Sequence, residues 1–208
     1  VDSPTLILVH TAHPQALSHA GPGFGRLLSP RQDSRAAATA AAGIPWAADN
    51  DAFSRWDAGR FTAMLGRITG LAGCRFVAAP DVVADAPRTA QLFDSWLAAL
   101  RATGQPPAFV IQDGQLGANV PWDEIGALFV GGTTEYKLSA DAERLGREAR
   151  RRGLWLHIGR VNSRRRFDYA RAVGAHSVDG SGFSMFRDTL LPDALTWHRQ
   201  PLQERLPA

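Results

Sequence analysis

Cysteine is almost absent, with Cys74 the only one in 208 residues. One thiol forms no internal disulfide and builds no cysteine-rich zinc cluster, so an apolar core must hold this fold. Cys74 itself precedes an apolar run and is expected to be an inert buried thiol. Metal-ligand spacing is lacking too: the six histidines are scattered, and only His10 and His13 stand close, so neither a metal nor a cofactor is expected. Long hydrophobic runs are missing as well. No stretch approaches the ~20 apolar residues of a membrane span, and residues 6–9 are too short and lack the basic flank of a signal peptide. The expectation is a cytoplasmic protein without a membrane partner.

Lysine is as scarce as cysteine: of 23 basic residues only Lys137 is a lysine, while formal net charge is +3. A GC-rich coding sequence produces such an arginine bias by itself, so position has to separate composition from chemistry. Arg150, Arg151 and Arg152 fall at an expected helix end, where cations favour the negative pole of the helix dipole. Arg160, Arg164, Arg165 and Arg166 instead surround the loop Gly159-Arg160-Val161-Asn162-Ser163, where a phosphate-binding cluster could form.

What is present is a globular composition, 45% hydrophobic and 21% charged, with 20 glycines and 13 prolines, in a length suited to a single domain spanning residues 1–208. Short apolar runs recur at residues 6–10, 25–29, 44–48, 75–79, 108–111, 127–130, 154–158 and 176–178. Amphipathic stretches lie between most of them, at 35–42, 57–69, 86–103, 140–152, 164–173 and 188–199. Ser139 and Ser163 are N-cap candidates, and Gly104, Gly153 and Gly174 are candidates for the left-handed residue after a helix. Continuous apolar strands covered by helices make a parallel sheet, and eight of them fit a compact (β/α)8 barrel of TIM type. An open doubly wound sheet is the alternative, because the first two runs are weak and no real helix fits between His13 and Gly23.

In either architecture the working residues belong at the carboxyl ends of the strands. Those positions hold Asp49-Asn50-Asp51, Asp81, Gln112-Asp113, Gly131-Gly132, Arg160 and Asp179. An aspartate after a strand is often only a turn or cap residue, a description that fits Asp51, Asp85, Asp113 and Asp188. Convergence of several carboxylates on one mouth is costly, however, unless function requires it. Two carboxylates with neutral hydrogen-bonding neighbours suit reaction at an acetal-like carbon, one attacking and the other moving protons. Phe53 and Tyr136 are candidates to stack on a planar leaving group.

The order Asp49 with Phe53, Asp81, Ile111-Gln112-Asp113-Gly114, Phe129-Val130-Gly131-Gly132, His157-Ile158-Gly159-Arg160 and Val178-Asp179 resembles the tRNA-guanine transglycosylases. It is closer to their compact phage and actinobacterial relatives linked to 7-deazaguanine in DNA, and it covers residues 45–187. The resemblance implies a (β/α)8 barrel that exchanges a guanine-type base in nucleic acid for a 7-deazaguanine through a covalent glycosyl-aspartate. Asp179 then corresponds to the nucleophile and Asp49 to the general acid/base. Asp81 and Gln112 correspond to readers of the base edge, Gly131 and Gly132 to the loop whose backbone approaches it, and Phe53 and Tyr136 flank it. Arg160, Asn162, Ser163 and Arg164 are the expected phosphate contacts.

This sequence departs from the family pattern in three places. Asn50 and Asp51 interrupt the first motif and leave Asp51 as an alternative to Asp49. Gly180-Ser181-Gly182 follows the nucleophile in place of the family's Cys-Val run. The zinc subdomain that serves tRNA docking has no cysteines to build it, so DNA becomes the expected acceptor in preference to tRNA. A reaction on free nucleosides or nucleotides, and a non-catalytic nucleic-acid-binding barrel acting as homodimer or partner subunit, are the competing readings.

Overall fold

The computed structural model describes residues 4–33 and 35–202. Its strands are β1 (Leu6–Val9), β2 (Phe24–Leu28), β3 (Trp46–Ala48), β4 (Cys74–Ala78), β5 (Pro107–Ile111), β6 (Ala127–Val130), β7 (Trp155–Ile158) and β8 (Ser177–Asp179). All pair in parallel in chain order, and β8 pairs back onto β1, so the sheet closes as a (β/α)8 barrel and the open-sheet alternative is excluded. The helices are α1 (Pro14–Leu17), α2 (Ala36–Ala41), α3 (Ala52–Arg55), α4 (Ala58–Ile68), α5 (Ala86–Ala102), α6 (Thr134–Lys137), α7 (Ala140–Arg151), α8 (Arg164–Val173), α9 (Ser181–Met185) and α10 (Leu190–Ala194). Among the described residues no helix is long and apolar enough to cross a membrane.

Local chemistry explains the helix ends. Ser139 Oγ accepts from the Ala142 N–H at 3.2 Å and Ser163 Oγ from the Arg166 N–H at 3.4 Å, each capping the helix that follows. Gly104, Gly153 and Gly174 turn the chain out at φ of 71°, 73° and 87°, a region side chains disfavour. The expected helix over 188–199 is instead split into α10 and a 3-10 turn, Trp197–Arg199. Pro192 has no N–H to donate and belongs in a first helical turn, which pins the start of α10 near Leu190. Between β1 and β2 there is only the single turn α1, with the His13 side chain accepting from the Gln15 N–H. The one-turn helices α3, α6 and α9, directly after β3, β6 and β8, are too short for periodicity to reveal.

Strand alternation divides the core in two. Leu8, Leu27, Ala47, Phe76, Val110 and Ala127 fill the barrel interior, while neighbours such as Ile7, Trp46, Phe109 and Leu128 pack against the helices. Gly25 keeps the weak second strand inside the barrel, since a Cβ there would meet Leu8 Cδ2 at 2.6 Å and the Pro45 carbonyl oxygen at 2.9 Å. Two residues beyond each interior position the same alternation reaches the mouth. It takes Leu8 to His10, Ala47 to Asp49, Val110 to Gln112, Phe129 to Gly131 and Ser177 to Asp179.

Candidate active site at the barrel mouth

Those mouth residues, joined by Ser29, Asp81 and Gly159, line a cavity of about 460 Å³ to which every strand end contributes. That is room for a ligand of nucleobase or nucleotide size. Of the residues singled out from sequence, Asp49, Asp81, Gln112, Gly131, Gly132, Phe53, Arg160 and Asp179 all line it, as does Asp51.

Asp179 is the most elaborately held group. Its Oδ1 accepts from His157 Nε2 at 3.2 Å and from the Arg160 backbone N–H at 3.0 Å, and its Oδ2 faces His10 Nε2 at 3.3 Å. Behind His157 the hydrogen bonds run in one direction. The Trp155 indole N–H only donates, here to Ser177 Oγ at 2.8 Å, and Ser177 stands 2.8 Å from His157 Nδ1. The Asp179 carboxylate only accepts, so on a neutral His157 the proton sits on Nε2 facing it, and Nδ1 accepts a hydrogen bond from the Ser177 hydroxyl. Burial, the largest influence on His157, lowers its pKa and agrees with a neutral ring. For Asp179 burial acts upward, but the hydrogen bonds of His10 and His157 and the charge of His10 outweigh it and hold the carboxyl well below the usual range. His10 is pulled down by burial and up by the hydrogen bond and charge of Asp179, with a net rise. His10 carried no such signal in the sequence, and His157 entered only as the first residue of a strand-end motif, with no role of its own. His10 lies 169 residues from Asp179 along the chain and meets it only because β1 closes against β8.

Asp49 has the opposite character. Burial, reinforced by the charges of Asp179 and Asp81 against the opposing pull of His10, raises its pKa to about 7. Its Oδ1 accepts only the Asn50 backbone N–H, at 2.9 Å. Asp51 sits in a left-handed turn at φ 61°, with Oδ2 3.9 Å from Arg31 Nη1. Asp81 is held by two amides, Asn50 Nδ2 at 2.8 Å and Gln112 Nε2 at 2.6 Å. Burial raises its pKa against the Asn50 bond and the charges of Arg160 and Lys137. Gln112 also accepts the Ala84 N–H at 3.0 Å, so much of its amide is spent fixing Asp81.

Gly131 and Gly132 are required by close approach, but the groups that approach are the protein's own. A Cβ on Gly131 would stand 2.7 Å from Val110 Cγ1, and one on Gly132, at φ 76°, would stand 2.5 Å from Asp113 Oδ2. Asp113 ties the two loops together by accepting from the Thr133 N–H at 2.8 Å and the Thr133 hydroxyl at 2.6 Å.

Other expected contacts are directed elsewhere. Tyr136 is buried outside the cavity, against a separate hollow with Asp113 and Leu116, so it does not flank a ligand there. Asn162 Oδ1 accepts from the Gly182 N–H at 2.9 Å, Ser163 caps α8, and Arg164 pairs with Asp168 at 2.7 Å and donates to the Pro201 carbonyl. None of these three lines the cavity, and the phosphate cluster reduces to Arg160. Arg160 reaches across the mouth, donating to the Gly132 carbonyl and laying its guanidinium 4.6 Å from the Phe53 ring centroid. Cys74 begins β4, half-buried, and burial pushes its thiol up to about 12. Among the described residues no group of three or more His, Cys, Asp or Glu is arranged to hold a metal ion.

No family model and no curated protein matches this chain.

Proposed function

We propose that the protein is a base-exchange glycosyltransferase. It replaces a guanine-type base in nucleic acid, DNA in preference to tRNA, with a 7-deazaguanine through a covalent glycosyl-aspartate. The observation that carries this reading is the opposite tuning of two carboxyl groups in one mouth, Asp179 held ionised and Asp49 raised to about 7. Environments that push two acids apart in this way divide the roles of nucleophile and general acid.

In the reaction, Asp179 attacks the anomeric carbon through Oδ2, the oxygen with a single neighbour, His10. The glycosidic C–N bond breaks, its electron pair leaves with the base, and Asp49 supplies the proton. In the second half, the incoming base gives its nitrogen proton to the Asp49 carboxylate and attacks the same carbon, expelling Asp179. Asp81, oriented by Asn50 and Gln112, accepts hydrogen bonds from the ring N–H and exocyclic amine of the base. Asp49 is favoured over Asp51 as the second acid because its carboxyl is raised to about 7 and lies within electrostatic reach of Asp179.

One observation favours a second reading, exchange on a free nucleoside or nucleotide: three of the four residues expected to grip a phosphate backbone are engaged within the protein. Labelled guanine offered with duplex DNA, single-stranded DNA, tRNA and guanosine, with Asp179→Asn as control, separates the two. Label entering DNA only when Asp179 is present supports the first reading and label entering only the nucleoside supports the second. Incorporation by Asp179→Asn at the wild-type rate removes both.

A further inference from the structure

Charge is unevenly spread in the cavity. Asp49, Asp81 and Asp51, the last beside Arg31, occupy the β2 to β4 side, whereas Lys137 and Arg160 face it from the segments following β6 and β7, with Asp179 held between them and β1 by its own donors. Lys137 ends the one-turn helix α6 and is only 6% exposed. Among the described residues its ammonium has no hydrogen-bond or ion-pair partner. Many arginines elsewhere in the fold have an acid, as in Arg67 with Asp33, Arg147 with Glu143 and Arg164 with Asp168, and the fully buried Arg26 donates to the Thr39 hydroxyl. Arg160 is satisfied by an aromatic ring and a neutral carbonyl, so it too faces the cavity without a carboxylate on its side chain.

The three acids within electrostatic reach of Lys137 are already engaged, Asp81 by the Asn50 and Gln112 amides. Asp179 is bonded by the two histidines and the Arg160 N–H, and Asp113 is bonded by Thr133. Burial, then the charge of Arg160, lowers the Lys137 pKa to about 8, with Arg166 acting in the same direction and Asp179 and Asp113 against it. The side chain is therefore still mostly an ammonium at neutral pH. A buried cation without a counter-charge is costly to the fold, and a structural role does not explain it.

We propose that Lys137 and Arg160 form a subsite for an anionic oxygen group, carboxylate or phosphate, carried by a small ligand whose opposite edge meets Asp81. The inference rests on the base-exchange reading and narrows it: the base or nucleotide that enters this mouth is itself acidic. Depth decides between small ligand and polymer. A polynucleotide backbone runs over the rim, whereas the Lys137 ammonium is reached only by a group that enters the cavity.

A chain with one lysine provides its own probe. The 208-residue chain, grown with lysine labelled with carbon-13 at the ε position, has one side-chain resonance, whose pH titration reads Lys137 directly. Four ligands are added in turn: guanine, 7-deazaguanine bearing a 7-carboxylate, guanosine 5′-monophosphate and inorganic phosphate, with calorimetry in parallel. The carboxylate base or the nucleotide, whichever is the source of the anion, is expected to raise the titration midpoint by about one unit or more, while guanine leaves it in place. Lys137→Met is expected to weaken that acidic ligand at least about tenfold with guanine binding unchanged, and Lys137→Arg to restore it. A midpoint that no anionic ligand moves overturns the subsite, as does an equal loss of guanine and acidic ligand in Lys137→Met with no recovery in Lys137→Arg. Guanine binding judges the base-exchange reading separately. If phosphate moves the resonance while guanine fails to bind, the anion subsite stands and the base assignment falls.

Discussion

Asp49 and Asp179 are chemically the same residue, and their surroundings make them different reagents. Asp179 has three donors and Asp49 one backbone N–H. Because the folded-state pKa of Asp49 is raised, to about 7, its contribution to stability is full below pH ~4 and is lost as pH rises through 7. Asp49→Asn removes that loss, so relative to wild type it is expected to gain on the order of 3 kcal/mol between pH 5 and pH 9, read from urea unfolding at both pH values. A constant difference across that range contradicts a buried acid of this kind. Asp179→Asn is expected to lose the covalent intermediate and at least about 1000-fold in turnover while still binding the base, checked by mass spectrometry of the quenched reaction. Asp81→Ala is expected to weaken guanine by about 1–3 kcal/mol in calorimetry, since the ring N–H and amine lose their acceptor.

The segment from β7 into α8 shows what a strand-end loop does in this barrel. Arg160 adopts φ 60°, a turn that aims its N–H at Asp179 and its guanidinium across the mouth. Asn162 and Ser163 then finish the connection, one gripping the start of α9 and the other capping α8. Ser163→Ala is accordingly expected to cost about 1 kcal/mol in thermal or urea unfolding with no change in affinity for a phosphate-bearing ligand. A specific loss of affinity would return Ser163 to the phosphate site. The elements themselves were legible in the sequence, because apolar runs ended by Gly and polar clusters encode strands, and Ser and Gly at helix ends encode caps. The roles of Asn162, Ser163 and Arg164 were not, since a donor-rich loop reads the same whether its donors meet a ligand, a neighbouring backbone or Asp168.

At the scale of the whole barrel, the interior supports the mouth. Phe76 stands 4.9 Å from the His157 ring and 6.0 Å from Phe129, and Phe129 in turn stands 4.4 Å from His157. The histidine that orients Asp179 is thus fixed by packing one layer below it. Phe76→Ala is expected to destabilise the fold by about 3–5 kcal/mol, and, where it still folds, to lower turnover by freeing the His157 ring. Unaltered turnover in a folded variant would show that this packing does not reach the chemistry.

The sequence by itself determined the eightfold β/α order, most element boundaries and the strand-end aspartates, because these depend on local periodicity and on residues close in the chain. It left open whether the sheet closes, and it hid the roles of His10, His157 and Lys137. Closure depends on contacts between β1 and β8, at opposite ends of the chain. A histidine or lysine becomes part of a site only through the burial and neighbours it acquires after folding. The pKa of Asp49, the tautomer of His157 and the unpaired charge of Lys137 are properties of that closed mouth, and only the tertiary structure decided them.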